Sequence, residues 1–126
     1  MKKCILMLLF MSNSIGASNF VGIYDLDVKI NNNSFVDILY ISTINVSGEV
    51  SGKFEVNNVF KSDFSGKLVK SHLSGSFMAK ERGEEFLVEL VGEFDSYCSV
   101  KGVLKQNDST FARFTGKKRG DDECRY

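Results

Sequence analysis

The sequence predicts an all-β domain: about eight short antiparallel strands in an up-and-down meander closed into a small barrel, with a β-sandwich as the alternative. Three observations carry this. Apolar and polar residues alternate with period two along most of the chain, as half-buried strands require. The 126 residues include no proline, and no apolar stretch has helical spacing. A Gly-x-apolar unit recurs at Gly22-Ile23-Tyr24, Gly52-Lys53-Phe54, Gly66-Lys67-Leu68, Gly75-Ser76-Phe77, Gly92-Glu93-Phe94 and Gly102-Val103-Leu104. Glycine within a strand is costly unless it permits a bend or a close backbone approach. Small-then-large on one face, strand after strand, suits the inside of a tightly curved barrel; in a sandwich the same glycines would mark bulges.

The first strand places Phe20, Gly22, Tyr24, Leu26, Val28 and Ile30 on one face and Asp25, Asp27 and Lys29 on the other. Asn31 to Asn33 make a turn. Phe35 to Val46 is apolar on both faces, which suggests a strand covered on both sides or a partner surface. After a bend at Ser47-Gly48, Val50, Gly52, Phe54 and Val56 share a face, and Asn57-Asn58 ends that strand. Phe60, Phe64, Gly66 and Leu68 follow, then Leu73, Gly75, Phe77 and Ala79. The charged Lys80–Glu85 segment, with Gly83 inside it, reads as an exposed hairpin tip. Phe86, Val88, Leu90, Gly92 and Phe94 form the next strand, and Cys98, Val100, Gly102 and Leu104 another. Gln106 to Ser109 turns into a last strand holding Ala112, Phe114 and Gly116.

Residues 1–18 read as a cleaved signal peptide. Lys2 and Lys3 form a basic start, Cys4 to Met11 an apolar run, and Gly16, Ala17 and Ser18 a small-residue cleavage region. The apolar run is too short to span a bilayer. Export to the periplasm or the exterior is therefore expected. What remains is one domain, 19–126, with a charged C-terminal tail from about residue 117. Loss of Lys2 and Lys3 leaves 14 basic and 16 acidic residues out of 16 of each. A near-neutral surface argues against nucleic acid as a partner, since that requires basic charge to displace counterions.

Of three cysteines, Cys98 and Cys124 remain after cleavage. In an oxidising compartment a bridge between them is the expected state, rather than two free thiols or a metal pair lacking other ligands. It would close a loop of about 25 residues and contribute about 3 kcal/mol.

These features resemble the calycin superfamily, which includes lipocalins, fatty-acid-binding proteins and avidins. The resemblance lies in the eight-strand meander, in Gly22-Ile23-Tyr24 on the first strand and in Arg113 near the end of the last. Calycins carry Gly-x-Trp at the first site and pack a basic side chain of the last strand over the ring. The resemblance implies that Tyr24 and Arg113 meet at a closed end of the barrel. The chain departs from the pattern in having no tryptophan, which argues against biotin binding in the avidin manner.

Catalytic chemistry is not expected. His72 is the single histidine and sits beside a Lys70-Ser71 turn, and no nucleophile elbow, phosphate loop or zinc-protease motif occurs. The carboxylate groups at Asp25 and Asp27, at Glu84 and Glu85, and at Asp121, Asp122 and Glu123 read as solvated faces, and no cofactor or metal is expected. Arg119-Gly120-Asp121 spells an adhesion-type tripeptide, but three residues arise easily by chance. Asn32, Asn45 and Asn107 each open an Asn-x-Ser glycosylation pattern, relevant only in a eukaryotic host.

Eleven phenylalanines and four tyrosines are the more informative content. Inward-facing Tyr24, Phe54, Phe77, Phe94 and Phe114 are the candidate ligand-binding residues. Eight strands enclose an interior that is either packed or wide enough for one small ligand. The expected function is a non-enzymatic binding protein holding a small hydrophobic molecule. The alternative is an interaction module, such as a protease inhibitor, that meets a protein partner through exposed loops.

Overall fold

Residues Gly22–Ile30 (β1), Asn33–Ile44 (β2), Glu49–Val56 (β3), Phe60–Val69 (β4), His72–Glu81 (β5), Glu84–Ser96 (β6), Ser99–Gln106 (β7) and Ser109–Lys118 (β8) form the strands. Each pairs antiparallel with its sequence neighbours, and β1 pairs with β8 to close the barrel. This is the predicted up-and-down barrel, and its closure removes the sandwich alternative. It is an architecture of the calycin type in general. The computed structural model describes residues 19–57, 59–120 and 124. The expected signal peptide lies outside the described residues, as do Asp121, Asp122 and Glu123 of the tail.

Alternation builds the core. Tyr24, Leu26 and Val28 on β1, Phe54 on β3, Phe64 on β4, Leu73 and Phe77 on β5, Val88 and Leu90 on β6, and Phe114 on β8 all point inward and are buried. The glycines set the curvature by pairing across strands, Gly66 with Gly75 and Gly92 with Gly102. A Cβ at Gly102 would overlap the Val91 carbonyl oxygen and lie 2.7 Å from the Gly92 Cα. The strands can cross that closely only because the side chain is missing. The Phe114 ring fills the space, its Cζ lying 3.3 Å from where a Gly92 Cβ would stand.

Outward positions carry charge along the wall. Lys53 pairs with Asp63 and Lys101 with Asp95, and the Lys61 ammonium lies 4.3 Å from the Tyr40 ring centroid. A charged exterior around an apolar interior is the reverse of a barrel that faces lipid. Among the described residues, no helix is long and apolar enough to cross a membrane.

Tight turns need left-handed backbone, and the sequence supplies residues that accept it. Asn31, Lys70, Arg82, Gly83, Asn107 and Asp108 all have positive φ. At Arg82-Gly83 and Asn107-Asp108 both central residues are left-handed, the turn that best matches strand twist. The exposed hairpin tip is therefore only two residues, because β5 runs to Glu81 and β6 begins at Glu84.

Four expectations change. Arg113 is exposed and lies opposite Lys29, whereas Tyr24 lies opposite Lys118, five residues further along β8. At about 3.3 Å per residue the two side chains sit on different faces roughly 16 Å apart, so the Tyr24–Arg113 stack does not form. Lys118 occupies that end instead: its stem lies against Gly22 and its ammonium donates to the Asn19 carbonyl at 2.6 Å. Second, β8 includes Lys117 and Lys118, so the charged tail begins later than expected. Third, a register shift between Phe94 and Ser96 removes Cys98 from the inward row and places it, half-buried, in the β6–β7 turn. Fourth, Phe20 precedes β1, although its ring still packs inward.

Candidate functional site

The two ends of the barrel differ, and the difference locates the site. Because the strands alternate in direction, the N-terminal segment, the β2–β3, β4–β5 and β6–β7 turns and the end of β8 share one end. The β1–β2, β3–β4, β5–β6 and β7–β8 turns share the other.

The first end is plugged. The Phe20 ring lies 4.5 Å from that of Phe94 and 4.9 Å from that of Tyr97, and Tyr24 meets Phe94 edge-on at 5.5 Å. The Tyr24 hydroxyl donates to the Phe20 carbonyl at 2.7 Å, with the Tyr97 carbonyl at 3.3 Å. One buried phenol thus ties the entering chain to the β6–β7 turn. The Cys98–Cys124 disulfide fastens the C-terminal segment to the same turn, with Cα atoms 5.3 Å apart. Arg119 adds a two-point ion pair with Asp25, its Nε donating to Oδ2 at 3.1 Å, and its amide donates to the Ile23 carbonyl at 2.7 Å. The arginine of the adhesion-type tripeptide is therefore held against the barrel wall.

The second end is open. A cavity of about 490 Å³ enters the barrel between the four turns. Phe54 and Phe77, both nearly fully buried, lie at its base, stacked with ring centroids 3.9 Å apart and planes 8° from parallel. Val28, Val56, Val88 and Leu104 line the walls. Ile30, Phe35, Phe86 and Phe111 stand around the rim, together with Lys80, Glu81 and Gln106. An apolar concave pocket with a few polar groups is the usual form of a small-molecule site.

One side chain does not belong to an ordinary core. Asp37 faces inward on β2, opposite Leu26, and lines this cavity while only 5 % exposed. Its Oδ1 accepts the Asn57 amide at 3.0 Å, which steadies the β3–β4 turn. Burial pushes its carboxyl above the ordinary value, and the Asn57 hydrogen bond offsets part of that rise. An isolated buried carboxylate is unfavourable unless it is paired or hydrogen-bonded.

Of the five expected ligand-binding residues, the structure brings Phe54 and Phe77 to the cavity. Tyr24 and Phe94 belong to the plugged end, and Phe114 fills the glycine-lined middle. Sequence reasoning missed Asp37, Phe35 and Phe111. Asp37 had a usable signal: in Phe35, Asp37, Leu39 and Ile41 it occupies the inward row. The apolar residues Val36, Ile38 and Tyr40 on the other row masked that parity. Ile38 is buried on the outer face between its cross-strand neighbours Asp25 and Glu55. Phe111 reaches the mouth because a register shift between Leu104 and Lys105 opposes it to no residue of β7.

A second, shallow groove crosses the outer wall over Ser51, Ser65, Gly66, Ser74 and Gly75. It is open to solvent, and Glu49, Lys67, Leu87, Glu89 and Val91 flank the small side chains. Among the described residues, no group of three or more histidine, cysteine, aspartate or glutamate side chains converges on a metal position. No protein-family model, no curated protein and no solved structure matches this chain.

Proposed function

We propose that this protein is a non-enzymatic binding protein that takes one small hydrophobic ligand end-on through the open mouth, onto the Phe54–Phe77 floor. The observation that carries the reading is the asymmetry of the barrel. One end is plugged by four aromatic rings and a disulfide, while the other holds an apolar cavity of about 490 Å³. Filling the interior with side chains would have been the simpler way to stabilise a chain of this size. A cavity left at one end forgoes packing contacts there, which a bound ligand would restore.

The interaction-module reading draws less support, because the hairpin tip is two residues long and offers no extended loop. Export accords with the Cys98–Cys124 bridge, since disulfides persist in oxidising compartments. Mass analysis of the exported protein would test that part, with a chain beginning near Ala17 or Asn19 as the expected product and a full-length chain as the contrary one.

The binding test is titration with N-phenyl-1-naphthylamine, a neutral apolar fluorophore. Saturable, blue-shifted emission is expected from the wild type. The substitution Ala79→Phe places a ring in the mouth, where Ala79 lines the cavity, and should abolish the signal while leaving thermal unfolding cooperative. Absence of saturable binding, or equal binding by the folded variant, would refute the reading.

A further inference from the structure

We infer that the ligand is a lipophilic amine whose ammonium group pairs with Asp37 inside the barrel. This rests on the proposed ligand-binding mouth and adds the chemical class of what enters it.

The argument begins with where the carboxylate stands. Asp37 is the buried charged residue of the described core, at 5 % exposure, and it lines the cavity. Its neighbours on the inner wall are apolar: Leu26 across β1, and Phe54 and Val56 along β3. One oxygen accepts the Asn57 amide. The other takes no hydrogen bond from any described residue, and the side chain lines the cavity. A turn amide could be satisfied by a neutral Asn or Ser, so capping the turn does not require a charge at this depth. A carboxylate held in an apolar wall with a free oxygen is suited to a ligand that brings a cation or a strong donor.

The other charges near the mouth do not supply that partner from within. Lys80 and Glu81 lie at the exposed end of β5, and neither forms an ion pair with Asp37 among the described residues. Arg82, Glu84 and Glu85 lie beyond them around the β5–β6 turn. The inner-face residues of β1 and β3 nearest Asp37, which are Leu26, Val28, Phe54 and Val56, carry no titratable group. An anionic ligand would have to lay its chain over a buried carboxylate, whereas an ammonium removes the isolated charge by pairing with it. The rim rings Phe35, Phe86 and Phe111 then cover the apolar part, and aromatic faces also tolerate a passing cation.

Three probes sharing a phenyl group and a four-carbon chain test this: 4-phenylbutylamine, 4-phenylbutanol and 4-phenylbutyrate, each measured by calorimetry at pH 7 against the wild type, Asp37→Asn and Glu93→Gln. The amine should bind the wild type roughly 10- to 100-fold more tightly than the alcohol, the range a charge-assisted hydrogen bond supports. The Asp37→Asn change should remove that preference and leave alcohol affinity unchanged, which also reports that the cavity is intact. Glu93→Gln, an exposed outer-wall carboxylate of β6 near the plugged end, should keep the preference. Equal wild-type affinities for amine and alcohol would overturn the inference while leaving the binding mouth in place, and this comparison needs no variant. Tightest binding of the carboxylate, or a preference that survives Asp37→Asn, would also overturn it. Failure of all three probes to bind the wild type would overturn the proposed function and this inference with it.

Discussion

Alanine at Gly92 and at Gly102 should have very different effects, although the two glycines are direct cross-strand partners. A Cβ at Gly92 would meet only side chains and a carbonyl at ordinary to slightly tight range: Phe114 Cζ and Val100 Cγ2 at 3.3 Å and the Lys101 oxygen at 3.4 Å. A few tenths of an ångström of ring movement relieves this. Restricting the unfolded chain returns about 0.4–1 kcal/mol, so the net change should lie within about 1 kcal/mol of zero. A Cβ at Gly102 would overlap the Val91 carbonyl and approach the Gly92 Cα at 2.7 Å. Those are backbone atoms, and they can yield only if β6 and β7 separate. Overpacking costs about 1–3 kcal/mol, and weakening two flanking ladder bonds adds about 1 kcal/mol each. The loss should reach roughly 3–5 kcal/mol, a large share of a small domain's stability. Urea unfolding followed by circular dichroism measures both. With an m-value of about 1.5 kcal/mol/M, the Gly102→Ala midpoint should fall by roughly 2 M or more and the Gly92→Ala midpoint by less than about 0.7 M. Equal shifts, or a larger one at Gly92, would refute the claim that close backbone crossing at Gly102 sets the barrel's curvature.

Reducing the Cys98–Cys124 bridge, or replacing both cysteines by serine, should cost about 3 kcal/mol of unfolding free energy. Because the bridge lies at the plugged end, ligand affinity at the mouth should stay within about twofold of the wild type when measured well below the melting temperature; a tenfold loss would show that the ends are not independent. Tyr24→Phe should cost about 1 kcal/mol in thermal unfolding, because the Phe20 carbonyl loses its donor. No change would mean that this bond does not hold the entering chain.

Asp37 should imprint a pH dependence of definite sign. Its carboxyl is raised above 3.8 in the fold, so the folded protein holds that proton more tightly than the unfolded chain. Below 3.8 the group is protonated in both states and exerts no penalty. As pH rises through the interval to the raised folded value, the penalty develops, and above it the penalty is complete. The amide of Asp37→Asn can still accept the Asn57 N–H and never charges. The stability of the variant relative to wild type should therefore climb with pH from acid to neutral and then level off. A pH-independent difference, or one that grows on acidification, would contradict the burial argument.

Strand count, closure and inward parity were legible because each depends only on period-two alternation and on glycine spacing along one strand. Height within the barrel was not. Phe54 and Phe94 have the same parity and the same Gly-x-Phe context, yet one forms the floor of an open cavity and the other belongs to a plug. What separates them is the register between strands and the direction each runs, together with Phe20 folding back beneath Tyr24. Those are relations between distant segments that no local pattern encodes. The Tyr24–Arg113 stack failed for the same reason. Placing a basic residue on the last strand required knowing its offset against β1, and the pairing selects Lys118. The disulfide, by contrast, could be read from cysteine number and the expected compartment alone, but its position could not, because the register shift before Ser96 moved Cys98 into a turn.

The central claim is that a ligand rests on the Phe54–Phe77 floor at the open end. Phenylalanine-labelled protein, assigned and titrated with N-phenyl-1-naphthylamine, tests it by NMR. Ring-current shifts should concentrate on the resonances of Phe54, Phe77, Phe86 and Phe111, with Phe20 and Phe94 unmoved at saturation. Shifts centred on Phe20 and Phe94, or spread evenly over outer-wall residues, would place binding elsewhere and contradict the account.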